Sequence, residues 1–383
     1  MFDLILIRFG ELSLKGKNKM DFVYQLAKNI SEICQISQAK IEINIDRIFI
    51  PYDDNSLEKL NYVFGISSFS PVYRIATNLK TIEEQILKLI PNNIQTFKIN
   101  SRRNWKQFQL NSIELNHYLG SHVIKNLDLK VDVKNPDSEI NIEIHQAFTY
   151  LFFEKYPGLN GLPVGSSGSV LHLISGGIDS PVAAYQLMKR GVKVNYLAFI
   201  SPPHTDLKTV EKLEMIVKHL NQYQISSKLY LFNYTKIMNY ISLCSNQAYK
   251  IVLMRRSFYR IANQLAKQNH CLAISNGENL GQVASQTMKA MQVIHEASAL
   301  PIYQPLLTND KLETINLAQK IKTFEISTIK ACETCELFAP DHPVINPSSE
   351  EAQKLENELD LLFDLEQQAI KTEIELKKFK LNS

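Results

Sequence analysis

The run Val170-Leu171-His172-Leu173-Ile174-Ser175-Gly176-Gly177-Ile178-Asp179-Ser180-Pro181 passes from an apolar strand through two glycines into a helix. The helical pattern runs from Pro181 to Arg190 and is closed by Gly191. A strand delivering glycines into a helix mouth is a phosphate-binding device. The glycines let backbone N–H groups approach an anion closely, and the unpaired donors of the helix N-terminus face the same point. Pro181 suits the first helical turn, where a missing N–H costs nothing, and Ser175 and Ser180 add hydroxyls at both rims. The Gly-Lys-Ser/Thr ending of a P-loop is absent. An ordinary Gly-rich strand-to-helix turn would account for the glycines but has no use for Asp179.

Working outward, strand and helix alternate from Val170 onward. Apolar strands are expected at 170–174, 194–199, 228–232 and 271–275, each followed by a helical pattern. Their apolar runs are continuous rather than alternating, which implies burial on both faces and hence a parallel sheet covered by helices. Upstream, 156–168 is rich in Gly and Pro and reads as a linker. Residues 1–56 show a β–α–β rhythm, with a helix from Met20 to Ile36 capped by Asn18 and a strand over 40–45, and a polar stretch at 51–56 reads as a soft boundary. Residues 57–163 repeat the alternation, with helices over 81–90 and 112–126 and strands over 96–101, 129–133 and 140–144. Downstream, Leu355, Leu359, Leu362, Phe363, Ile370 and Ile374 predict an amphipathic helical tail packed on the body.

Composition bounds the class. A chain of 383 residues with 45% hydrophobic and 21% charged residues suggests two or three globular domains. The N-terminus lacks a basic lead, and no apolar run reaches spanning length, so neither a signal peptide nor a membrane span is expected. Five scattered cysteines argue against a disulfide framework and for a reducing cytoplasm. Net charge is +3, but residues 164–345 hold 18 Lys/Arg against 12 Asp/Glu, while the tail from 346 holds 5 against 9. A basic middle permits a nucleic-acid partner without proving one.

Other constellations sit where open α/β sheets place ligand-contacting loops. They are Ser201-Pro202-Pro203-His204-Thr205 after the second strand of this domain, and the Gly- and amide-rich run Ser275 to Thr287 after the fourth. Met254-Arg255-Arg256 reads as a helix start, either solvated or turned to the sheet, and Asp310-Lys311 opens a helix over 312–321. Cys332-Glu333-Thr334-Cys335 admits three readings: a zinc half-site, a redox pair or a sulfur-handling thiolate. Two basic clusters, Lys15 to Lys19 with Arg8, and Ser101-Arg102-Arg103-Asn104-Trp105-Lys106, suit phosphate contact, the second with Trp105 for base stacking. Charged surface faces explain both equally well.

Taken in chain order, these motifs resemble the tRNA sulfurtransferases that make 4-thiouridine. The resemblance rests on Arg8 to Asn18, Ser101-Arg102-Arg103 with Ser112 to Asn116, Val131 to Asp137, Gly161 to Gly165, Ser175 to Ala184, Ser201-Pro202-Pro203 and Gly277 to Thr287. It implies an α/β chain of a ferredoxin-like α+β unit (1–56), a THUMP domain (57–163), a doubly wound parallel-sheet PP-loop domain of the adenine-nucleotide α-hydrolase type (164–345) and a helical tail (346–383). It also implies ATP, with Mg2+, held by Leu173, Ile174, Ser175, Gly176, Gly177, Ser180, Ala198, Phe199, Arg255, Gly277 and Gln286. Asp179, Lys311, Cys335 and Cys332 are the implied catalytic residues, and Arg8, Lys15, Lys17, Arg102, Arg103 and Lys106 the implied RNA contacts. No protein metal site is implied.

The implied reaction is transfer of sulfur to uridine eight of tRNA through an adenylated uridine and a protein persulfide. Many relatives carry a C-terminal rhodanese domain that this sequence does not show, so a cysteine desulfurase is the expected persulfide donor. The family also supplies sulfur for thiamine thiazole synthesis. Gln304-Pro305-Leu306 stands where an Arg-Pro-Leu is common, which removes a cation from that position. Oligomeric state is left open, a homodimer included. The rival readings are a different ATP pyrophosphatase acting on RNA and a catalytically silent THUMP RNA-binding protein.

Overall fold

The computed structural model describes residues 2–44, 46–331 and 338–381. The chain divides into two units, residues 1–160 and 161–383. Cys332 and Cys335 lie outside the described residues. Among the described residues no helix is long and apolar enough to cross a membrane.

The first unit is built on one nine-stranded sheet. Its strands are β1 (Leu4–Arg8), β2 (Glu42–Ile43), β3 (Arg47–Pro51), β4 (Ser68–Ala76), β5 (Thr96–Arg103), β6 (Lys130–Val131), β7 (Ser138–Ile144), β8 (Phe148–Phe152) and β9 (Tyr156–Pro157). The order is β2-β3-β1-β4-β8-β7-β5-β6, with β9 also on β4. β4 joins two sub-sheets: Ser68 to Val72 pair with β1, and Tyr73 to Ala76 pair with β8. The helices are α1 (Lys19–Cys34), α2 (Asp54–Lys59), α3 (Leu79–Leu89) and α4 (Ser112–Asn126). α4 starts where expected because Asn111 and Glu114 close a reciprocal capping box.

The polar stretch at 51–56 holds the start of α2, where Asp53 accepts the Ser56 N–H at 2.8 Å. Asn18 precedes α1 but makes no side-chain cap bond.

The second unit carries β10 (Ser169–Leu173), β11 (Lys193–Ile200), β12 (Ser226–Asn233), β13 (Ala273–Ser275), β14 (Ile302–Tyr303) and β15 (Ile374–Lys380), in the order β14-β13-β10-β11-β12-β15. All neighbours are parallel except β15, which runs antiparallel to β12. The chain steps from β10 to β11 and β12 on one side, then returns to β13 on the other. A crevice therefore opens beyond the carboxyl ends of the strands, where such sheets bind ligands. The helices are α5 (Asp179–Lys189), α6 (Leu207–Leu220), α7 (Thr235–Ile241), α8 (Lys250–Gln268), α9 (Met288–His295), α10 (Lys311–Lys320), α11 (Phe324–Ser327), α12 (Ser349–Glu358) and α13 (Leu362–Thr372). Leu171, Leu197 and Ile274 face a core shared with α8, α9, α12 and α13. The intervening His172 points to the opposite side, onto the first turn of α5.

The expected linker at 156–168 is not a free tether. Tyr156 and Pro157 pair with β4, and Gly161 (φ +77°) packs so tightly that a Cβ there would sit 2.1 Å from the Lys189 carbonyl oxygen.

The tail also departs from expectation: two helices are followed by a strand, and Ile374 opens β15 rather than continuing a helix. Both helices are bolted to α8 by buried ion pairs. Arg256 meets Glu356 through Nε (2.9 Å) and Nη2 (3.0 Å), while Arg260 grips Glu366 (2.6 and 2.8 Å) and also Glu356 (2.5 Å). Removing one partner from a buried pair strands the other charge. Glu356→Ala is therefore expected to destabilise the protein by about 3–5 kcal/mol in denaturant unfolding. Lys354→Ala, on the exposed face of the same helix, should stay within about 0.5 kcal/mol. Equal effects of the two would contradict a clamping role.

Candidate active site

Three loops converge beyond the strand ends. The loop after β10, residues 174–178, turns directly into α5. Its shape is set by two serines: the Ser175 N–H donates to Ser180 Oγ (3.0 Å), and Ser180 Oγ–H donates to the Ser175 carbonyl (3.1 Å). Below them His172 is fully buried. Its Nε2 lies 2.9 Å from the Ser180 carbonyl and its Nδ1 2.8 Å from Ser275 Oγ. A carbonyl only accepts, so Nε2 carries the proton and Nδ1 accepts from Ser275. One imidazole thus ties the loop after β10 to the end of β13. Burial pulls its pKa down to about 4, only partly offset by the bond to the Ser180 carbonyl.

Gly277 completes this junction. A Cβ there would lie 2.7 Å from the Asp179 carbonyl carbon and from the Ser180 nitrogen. Only glycine lets the 276–287 loop press against the start of α5.

Asp179 opens α5, and both its carboxylate oxygens meet Lys311 Nζ (2.7 and 3.0 Å). Lys311 begins α10, whose start is fixed by the Asp310–Glu313 capping box. Gln282 reaches Asp179 from the third side, with Nε2 donating at 3.1 Å. Residues remote in sequence therefore meet at the mouth of the glycine loop.

The cavity behind them is lined by Leu173, Ile174, Ser175, Gly176, Asp179, Ser180, Ala198, Phe199, Arg255, Gly277 and Gln286. Phe258 also lines it and stacks on Phe199, with centroids 3.7 Å apart and planes 5° from parallel. Gln286 presents a buried Oε1 with no hydrogen-bond partner, an acceptor suited to a ligand N–H or O–H. Arg255 sits in the second turn of α8, not at its start as expected, and its neighbour Arg256 turns away to the tail. Arg255 Nη2 meets Glu278 Oε1 at 2.5 Å. Burial alone would raise the Glu278 carboxyl, but Arg255, His295 and the Asn276 amide override it and hold its pKa at about 2.

All but one of the expected nucleotide contacts line this cavity. Gly177 does not, although it lies in the same loop, with its N–H donating to Ser175 Oγ at 3.3 Å. Sequence reasoning missed the roles of Glu278, Gln282 and Phe258. The first two belong to the amide-rich run already noted, but nothing in that run says which way each side chain points. Among the described residues no group of three or more metal-ligating side chains is assembled. Asp179 supplies one carboxylate at the mouth, enough for a magnesium ion brought in on phosphates, which needs only one or two. The other three of the five cysteines, Cys34, Cys244 and Cys271, are buried. Burial pushes the Cys34 thiol up to about 12 and raises the other two, so none is a ready nucleophile.

In the first unit the expected RNA contacts separate into two groups. Lys17, Arg102 and Lys106 are exposed, and Lys15 and Arg103 are half-buried. Arg8 is a correction. It is buried, donates to Ser70 Oγ (3.0 Å) and Glu143 Oε1 (3.2 Å), and lies over the Phe152 ring, so its charge is spent inside the sheet. Trp105 is half-buried and packs against the core built by α3 and α4.

Comparison with known proteins fits this arrangement. Residues 165–361 match the family described as Thiamine biosynthesis protein (ThiI), residues 4–70 the ThiI ferredoxin-like domain and residues 76–154 the THUMP domain. The chain is 55% identical over 376 residues to a probable tRNA sulfurtransferase of Mycoplasmopsis agalactiae, covering 98% of this chain and 99% of that one. It is 53% identical to the probable tRNA sulfurtransferase of Mycoplasmopsis pulmonis, over 97% and 98% of the two chains. The crystal structure of a 4-thiouridine synthetase–RNA complex with bound ATP superposes with a TM-score of 0.91 at 32% identity, over 99% of this chain and 100% of that one. The chain belongs to the tRNA sulfurtransferase family.

Two measurements test the geometry. Gly277→Ala should destabilise the protein by about 1–3 kcal/mol through forced separation of the two loops. Gly16→Ala, where a Cβ meets nothing within 4 Å, should change little. Equal unfolding midpoints for the two would contradict the close approach. For His172, the native state refuses a proton that the unfolded chain accepts below its ordinary value of 6.5. Stability should therefore fall as pH drops from 6.5 towards 4, by about 3 kcal/mol for this group. His172→Gln should remove that component. An unchanged slope in the variant would show that the imidazole is not held neutral.

Proposed function

We propose that this chain is an ATP-dependent enzyme that transfers sulfur to uridine eight of tRNA, giving 4-thiouridine. The observation that carries the reading is the convergence of the Ser175–Ser180 loop, Asp179 and Lys311 at the mouth of a cavity with an aromatic wall. Its support is the 32% identical 4-thiouridine synthetase, whose structure contains both RNA and ATP.

The chemistry asks for such a site. The C4 oxygen of uridine is a poor leaving group and must be activated before sulfur can replace it. It attacks the α-phosphorus of ATP, the bond to the β-phosphate breaks, and pyrophosphate leaves. The backbone N–H groups of Gly176 and Gly177, the start of α5 and Lys311 stabilise the charge that develops on the departing pyrophosphate. Asp179 holds Lys311 in place and is the carboxylate available to a magnesium ion accompanying the nucleotide. Phe199 and Ala198 offer the apolar wall for the base.

The outer sulfur of a Cys335 persulfide, loaded by a cysteine desulfurase, then attacks C4 and AMP departs. The Cys332 thiolate attacks the Cys335 sulfur and breaks its bond to the transferred sulfur. The sulfur stays on C4, and a Cys332–Cys335 disulfide forms, which a thiol reductant resets. Burial of the other three cysteines favours this pair as the one that handles sulfur. Lys15, Lys17, Arg102, Arg103 and Lys106 supply the phosphate contacts of the first unit.

Removing a prearranged donor to developing charge costs about 3–4 kcal/mol, so Lys311→Ala should slow thiolation by roughly a hundredfold or more, and Asp179→Ala, which releases Lys311 from its place, should do the same. The assay combines tRNA, ATP and a desulfurase, with nucleosides read by mass spectrometry and folding checked by thermal melting. Wild-type turnover in either variant would overturn the assignment.

A further inference from the structure

Glu278 is a buried full negative charge in the wall of a cavity meant for a polyanion. Its side chain is 5% exposed. A carboxylate in that position repels phosphate and is costly to desolvate unless it is paired. We propose that Glu278 is a positioning residue: it fixes the direction in which the Arg255 guanidinium meets the bound nucleotide. The inference rests on the reading of this cavity as an ATP site.

The carboxylate is itself held from several sides. Oε1 takes Arg255 Nη2 at 2.5 Å. Oε2 accepts from the amides of Asn276 (2.8 Å) and Gln304 (2.6 Å) and from the Tyr259 hydroxyl (3.4 Å), with His295 Nε2 3.7 Å away. The Glu278 backbone N–H donates to Asn276 Oδ1 at 3.0 Å, locking the turn that carries it. Donors from α8, from the ends of β13 and β14 and from α9 thus orient one carboxylate. Among the described residues its one Lys or Arg ion-pair partner is Arg255.

Arg255 is the group that needs such an anchor. It projects from the second turn of α8 on a long side chain with many rotamers, and that side chain lines the cavity and is 19% exposed. Gln304 sharpens the assignment. It is a neutral donor that turns its amide onto Glu278, so it adds a hydrogen bond but no second full positive charge beside the carboxylate.

The test is steady-state thiolation of tRNA with a desulfurase, measuring KM for ATP and for tRNA separately from kcat. Glu278→Gln keeps the volume and removes the charge, and is expected to raise the ATP KM about tenfold or more with tRNA KM unchanged and kcat less affected. Glu278→Asp, which keeps the charge but withdraws it by one methylene, should also raise the ATP KM, and it serves if the glutamine variant fails to fold. Arg255→Ala combined with Glu278→Gln should be no worse than Arg255→Ala alone, because the glutamate acts through the arginine. A wild-type ATP KM in a folded Glu278 variant, or effects that add in full, would overturn the proposal. Wild-type protein that leaves ATP untouched in the presence of tRNA would instead overturn the parent reading.

Discussion

The site depends on one close approach: the backbone of Gly277 against the backbone of Asp179 and Ser180 at the start of α5. The strands that deliver these segments, β10 and β13, are direct parallel neighbours, so their loops leave the sheet side by side. Contact between them follows only because position 277 has no side chain and because His172 ties both from beneath. The rest of the constellation is hung on that junction. Gln282 reaches Asp179 from the loop after β13, and Lys311 reaches it from α10. A glycine loop alone would bind an anion; the junction adds a carboxylate, a lysine and an arginine at fixed places around it.

The same logic explains why buried charge is tolerated in this unit. Two ion-paired clusters flank α8. On its cavity side Arg255 meets Glu278, and on its outer side Arg256 and Arg260 meet Glu356 and Glu366. Hydrophobic residues could bind the tail to α8 equally well, and some do, Leu355, Leu362 and Ile370 among them. Paired charges add direction. They fix the rotation of α8 about its own axis, which decides that Arg255 faces the cavity while Arg256 faces the tail.

Much of this was legible in the sequence because local chemistry and tertiary role coincide. The strand–glycine–helix run reads alike in one dimension and three, and the capping residues of α4 and α10 announce their helices. What was hidden depends on partners far away in the chain. Arg8 looks like a basic surface residue until Glu143, 135 residues later, is seen beside it. Trp105 sits among charges in the sequence but leans on a core built by α3 and α4. The segment from Ile374 to Lys380 carries apolar residues that could continue a helix, and only the open edge of β12 makes it a strand. Glu278 is one polar residue in an amide-rich run, and its value appears only when Arg255 and Gln304 close around it.

The central claim is that the backbone around Gly176 and Gly177 receives the pyrophosphate half of ATP. A crystal structure of this protein with a non-hydrolysable ATP analogue measures that directly. The account requires the β- and γ-phosphates within hydrogen-bonding distance of the loop N–H groups, with Lys311 turned to them and the base against Phe199. A triphosphate lodged elsewhere, with the loop empty, would contradict it.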